Sequence, residues 1–183
     1  MKKLALLLIP LALSACQKEL TASQKKLQAK LPPDAELSAD GTLLAQGRVI
    51  HVADGDTLTV LSSDQQEFKI RLQGIDSPER KQPFGNVCKQ QLLTLAINQK
   101  ADVEAYKQDK YGRVVAKVSV NGKDVALEQL RTGCAWHYTA YAKEQNPHDR
   151  DAYAQAEQQA RQSNIGLWQD ASPIAPWDYR HKK

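Results

Sequence analysis

A chain of 183 residues with 42% hydrophobic and 25% charged side chains fits one globular domain with short extra segments, and excludes two full domains. The formal charge is +4, but setting aside Lys2 and Lys3 leaves 23 of the 25 Lys and Arg against 21 Asp and Glu. Overall charge therefore argues little for a nucleic-acid partner, and any basic binding surface has to be local.

In chain order, residues 1–15 carry Lys2-Lys3, an apolar run from Leu4 to Leu13, and then Ser14-Ala15. A positive start, a short apolar core and small residues before a break are the parts of a secretory signal, and the core is too short to span a bilayer. Leu13-Ser14-Ala15-Cys16 resembles the bacterial lipobox, which implies that Cys16 is lipidated and becomes the first mature residue. Acyl chains there would anchor the domain to a membrane, each buried methylene contributing about 0.8 kcal/mol. By the same resemblance Gln17, which is not aspartate, favours the outer membrane, with the domain facing the periplasm or the exterior.

Residues 16–42 read as the lipidated cysteine and a flexible tether, polar and lysine-rich with Pro32-Pro33 and at most a brief helix near residues 23–30. Compact structure is expected from Leu43. Residues 48–52 and 57–61 are β-prone runs around the turn dipeptide Asp54-Gly55. Phe68, Ile70 and Leu72 then alternate with Lys69, Arg71 and Gln73, which predicts a half-buried strand. Residues 83–98, with Val87, Leu92, Leu95 and Ala96, suit an amphipathic helix. Two more strands are expected near residues 101–107 and 113–120, joined by a turn at 109–112. Asp124 is placed to cap a short helix over 125–132, and a last helix over 148–163 turns Tyr153, Ala156 and Ala160 inward. The domain is expected to close at residue 169, leaving 170–183 as a loose tail. Five short strands with three interposed helices point to an α+β fold, a small barrel of the OB type.

Two cysteines remain for an oxidising compartment, Cys88 and Cys134. A disulfide between them would close a long loop and contribute about 3–4 kcal/mol; the alternative is two buried free thiols. No CxxC occurs, and His51, His137, His148 and His181 lack zinc-ligand spacing.

Three segments gather charge around turns. Asp54-Gly55-Asp56-Thr57 sets two carboxylates about a tight turn. The run from Arg71 through Asp76-Ser77-Pro78-Glu79 joins a strand arginine to two carboxylates where the chain leaves the sheet. Asp109-Lys110-Tyr111-Gly112-Arg113 starts a later strand with a second arginine. Each alone reads as a solvated turn.

Together, in this order and spacing, the three segments resemble the signature of the staphylococcal-nuclease family, and the likeness extends from about Leu43 to Trp168. The resemblance implies an OB-fold barrel, cleavage of DNA and RNA, and calcium as cofactor. Asp56 and Asp76 would hold the ion with a backbone oxygen at Ser77 and water. Arg71 and Arg113 would grip the phosphate, and Glu79 would serve as general base. Lys81, Lys110 and Tyr141 are the expected substrate contacts. Ser77 stands where the family usually has threonine, and Thr139 and Tyr141 stand where it has two tyrosines, with Tyr138 or Trp136 as alternative stacking surfaces. A monomer without an obligate protein partner is expected. The competing reading is a non-catalytic nucleic-acid-binding OB-fold lipoprotein.

Overall fold

The computed structural model describes residues 19–181; the expected signal segment and Cys16 lie outside the described residues. The elements run α1 (Ala22–Gln28), β1 (Glu36–Leu37), β2 (Leu43–Val52), β3 (Thr57–Leu61), β4 (Glu67–Leu72) and β5 (Ile75–Asp76). Then come α2 (Gly85–Ala96), β6 (Lys100–Gln108), β7 (Val114–Val120), β8 (Lys123–Asp124), α3 (Val125–Arg131) and β9 (Trp136–His137). A 3-10 turn (Thr139–Glu144), α4 (Pro147–Gln162), a second 3-10 turn (Gly166–Gln169) and α5 (Pro176–His181) complete the chain.

Five strands close into a barrel. β2 pairs antiparallel with β3, β3 with β4, β6 with β7, and β6 returns to β2, while β4 and β7 run parallel. The α+β OB-type barrel expected from the sequence is thus the fold observed. β2 serves both neighbours because it changes partner along its length, pairing with β6 through Arg48 and with β3 from Arg48 onward. Gly47 sits at that crossing, where a Cβ would meet Val60 and the Leu61 carbonyl at 2.5 Å. Alternation fills the interior: Phe68, Ile70 and Leu72 of β4 are buried, as are Val114, Ala116, Val118 and Val120 of β7.

The helices follow their local signals. Asp124 caps α3 by accepting from the amides of Ala126 and Leu127, and Asn146 with Pro147 starts α4. Tyr153, Ala156 and Ala160 are the buried face of α4, as expected. On α2 the buried face is Cys88, Leu92 and Ala96, whereas Val87, expected inside, is 57% exposed. Cys88 and Cys134 are buried, free thiols, so the structure shows the thiol alternative and not the expected disulfide. The neighbouring Cys134 thiol, with burial, pushes the Cys88 thiol well above its ordinary pKa.

The segments on either side of the expected domain are packed against it. The packed body begins at the Thr21 capping box, in which Thr21 and Gln24 satisfy each other's amides, and not at Leu43. Leu27 and Leu31 are buried in the main core. The polar composition of 17–40 hid two leucines, Leu27 inside α1 and Leu31 just past its end. Leu27→Ala should lower stability by about 2 kcal/mol, seen as a lower Tm; an unchanged Tm would restore the flexible tether. At the other end, residues 170–181 are no loose tail: α5 packs against the body, with Ala175 and Pro176 buried. Among the described residues no helix is long and apolar enough to cross a membrane.

Candidate active site

The barrel brings the three charged segments to one end. Asp56 is buried, and its amide donates to Asp54 Oδ1 at 3.1 Å, tightening the turn between β2 and β3. Thr57 Oγ1 donates to Asp56 Oδ1 at 3.0 Å, and the Ser77 amide donates to Asp56 Oδ2 at 2.8 Å. Ser77 therefore contributes its N–H to this carboxylate, while its hydroxyl donates to the Cys134 carbonyl at 2.6 Å. Gly55 lets the two loops approach: a Cβ there would overlap the Ser77 hydroxyl and come within 3.2 Å of Cys88 Cβ.

Arg71 bridges the two buried aspartates. Its Nε lies 3.2 Å from Asp56 Oδ1, its Nη2 donates to Asp76 Oδ1 at 2.9 Å, and its Nη1 donates to the Leu72 carbonyl at 2.7 Å. Burial raises the Asp76 pKa, with the charge of Asp56 adding to the effect, although Arg180 and Arg71 pull the other way. Burial and the nearby charge of Asp56 also push Asp54 up to about 6. The pocket thus holds more negative charge than Arg71 alone balances.

Arg113 reaches the same place from the start of β7. Its Nε donates to Asp109 Oδ2 at 2.7 Å and its Nη1 to Thr57 Oγ1 at 3.5 Å, so it stands beside the Asp56 turn. Glu79 is half-buried at the edge, where Oε1 accepts from Arg180 Nη1 at 2.9 Å. Lys81 and Lys110 are exposed, and the nearest aromatic face to Lys110 is Tyr111, 5.1 Å away. Tyr141 is 47% exposed, packs edge-on to Tyr138 and lies under Lys107 Nζ at 5.0 Å. Trp136 belongs to a structural stack with Trp168 and Arg161, while Tyr138 lies flat against Trp177 at 5.2 Å.

No group of three or more His, Cys, Asp or Glu side chains forms a ready metal cage among the described residues. The donors present are two buried carboxylates joined through Arg71. That set suits a hard divalent ion that keeps much of its own water, and does not suit a soft metal.

A family model described as Staphylococcal nuclease homologue matches residues 69–170. The chain belongs to the staphylococcal nuclease family. It is 38% identical over 143 residues to Staphylococcal-like nuclease CAN1 of Arabidopsis thaliana, covering 78% of this chain and 41% of that protein. An endonuclease of Escherichia coli is 36% identical over 138 residues, covering 75% of this chain and 86% of the relative. One from Haemophilus influenzae is 36% identical over 136 residues, covering 74% and 73%. The chain therefore spans less than half of the plant relative and most of the bacterial ones. Arg71, Asp76, Glu79 and Arg113 all fall in the matched stretch, and Asp56 lies before it.

Two residues at this site escaped sequence reasoning. Gln129 is fully buried, and its Nε2 donates to the Gly55 carbonyl at 2.7 Å and the Cys88 carbonyl at 3.0 Å, fixing the Asp56 turn from below. Its signal was a polar residue on the apolar stripe of α3, between Val125, Ala126 and Leu130. Arg180 meets the site from α5 and had no local signal, because its segment was read as a tail.

Proposed function

We propose that this protein is a calcium-dependent nuclease that hydrolyses DNA and RNA with little sequence preference, held to the bacterial envelope by a lipid on Cys16. The observation that carries the catalytic reading is the convergence of Asp56, Asp76, Arg71, Arg113 and Glu79, drawn from three separate segments, at one end of the barrel. Calcium bound to Asp56 and Asp76, with the Ser77 carbonyl and water, would polarise the scissile phosphate. Arg113, half-buried and permanently charged, offers its fork to the phosphate oxygens as negative charge builds on them. Arg71 fixes both carboxylates and adds charge to the same face. Glu79, at the solvent edge, accepts a proton from the attacking water. Tyr141 would contact the nucleotide, and Lys81 and Lys110 the phosphate backbone.

Incubating the purified protein with plasmid DNA and with RNA, in calcium or in chelator, tests this reading. Calcium-dependent degradation of both substrates is expected, with Arg113→Ala about 100-fold slower or worse. Intact DNA that is nonetheless retarded on a gel would instead establish a binding module. For the anchor, Cys16→Ser should release the protein from membranes and end its labelling by fatty acid; retention of both would refute lipidation. In solution, freed of its anchor, the protein is expected to be monomeric.

A further inference from the structure

The C-terminal helix does more than pack. Arg180 on α5 extends its guanidinium over the two carboxylates to which the proposed function gives the ion and the proton. Nη2 donates to Asp76 Oδ2 at 2.8 Å, and Nη1 lies 3.3 Å from Asp76 Oδ1 and 2.9 Å from Glu79 Oε1. A single cation thus occupies both oxygens of Asp76 and one of Glu79. The charge it brings is the charge the site lacks, because Asp54, Asp56, Asp76 and Glu79 gather here against Arg71 and the flanking Arg113. The rest of the segment covers the aromatic side of the site. Trp177 lies flat on Tyr138 with 3° between the rings and edge-on to Trp136 at 5.7 Å. Behind it, Tyr179 Oη donates to the Lys81 carbonyl at 3.2 Å, and Gln82 donates its amide to the Ile174 carbonyl.

We propose that residues 174–181 form an autoinhibitory latch, in which Arg180 stands in for the divalent cation at Asp76 and Trp177 covers the Tyr138 ring. A guanidinium and a calcium ion cannot both use the same lone pairs of Asp76, so binding of one displaces the other. The latch is built to open. Arg180 keeps 42% of its side chain exposed, and α5 has only six residues, joined to the body by a short loop. The guanidinium side of these pairs is open to water although Asp76 is buried, so cation and substrate can compete for the carboxylates and displace it. The matched nuclease region ends at residue 170, before this helix begins.

The proposal rests on the calcium reading above, and calorimetric titration of calcium into the intact protein, without nucleic acid, separates the two. Arg180→Gln should bind calcium about three- to tenfold more tightly than the unaltered chain, since a competitor has gone. Trp177→Ala, which loosens the helix and leaves the guanidinium intact, should move affinity in the same direction. Unchanged or weaker affinity in both variants, with calcium still bound, overturns the latch and leaves the nuclease reading standing. Weaker affinity in Arg180→Gln would mean that Arg180 supports the site. No calcium binding in any of the three proteins overturns both the latch and the calcium requirement.

Discussion

Arg71→Ala is expected to lower kcat by roughly 100- to 1,000-fold, the cost typical of losing a group that stabilises transition-state charge. The guanidinium lies between Asp56 and Asp76 and is tied to the Leu72 carbonyl, so its position is fixed before any substrate arrives. Removing it takes positive charge from the phosphate face and leaves two buried carboxylates facing each other. Asp76 already has a raised pKa from burial, and without Arg71 it rises further, so the cation has to displace a proton. Arg71→Lys should recover only a small part of the loss, because one ammonium cannot bridge two carboxylates and a carbonyl at once. Single-turnover cleavage of a short DNA duplex at saturating calcium measures this. A kcat within threefold of the unaltered protein would show that Arg71 is merely a strut.

Gly55→Ala should cost about 3 kcal/mol of stability, near the upper end for overpacking a filled site, and take the nuclease activity with it. The added methyl would overlap the Ser77 hydroxyl and sit 2.8 Å from its Cβ. Relief by movement is blocked on the other side, since the Gly55 carbonyl is held by Gln129, which is fully buried and also bonded to the Cys88 carbonyl. The turn and the Ser77 loop would have to part, and the Ser77 amide would then lose Asp56 Oδ2. Urea unfolding reads the stability loss. A variant as stable as the original and fully active would show that the two loops are not in the close contact described.

How far sequence reaches into such a site depends on whether a residue carries its own local signal. Strand alternation at Phe68, Ile70 and Leu72 and the cap at Asp124 are read from nearest neighbours, and both fall where expected. Asp56, Arg71, Asp76, Glu79 and Arg113 were legible because each sits in a short motif whose spacing is itself distinctive, and the structure brings them together. Gln129 and Arg180 have no such motif. Their roles arise from contacts with residues 74 and 104 positions away, made only once the barrel is closed and the terminus has docked. Leu27 and Leu31 were missed for a related reason, since two leucines in a lysine-rich run declare nothing until a barrel wall stands beside them.

The docking of α1 fixes how far the domain can stray from whatever holds its N-terminus. A free segment running to Leu43 would let it roam up to about 90 Å from Cys16, whereas the five residue steps from Cys16 to Thr21 extend to at most about 18 Å. With the proposed lipid at Cys16, the start of the packed body would be held close to the bilayer, and nucleic acid at the membrane surface would be its nearest substrate.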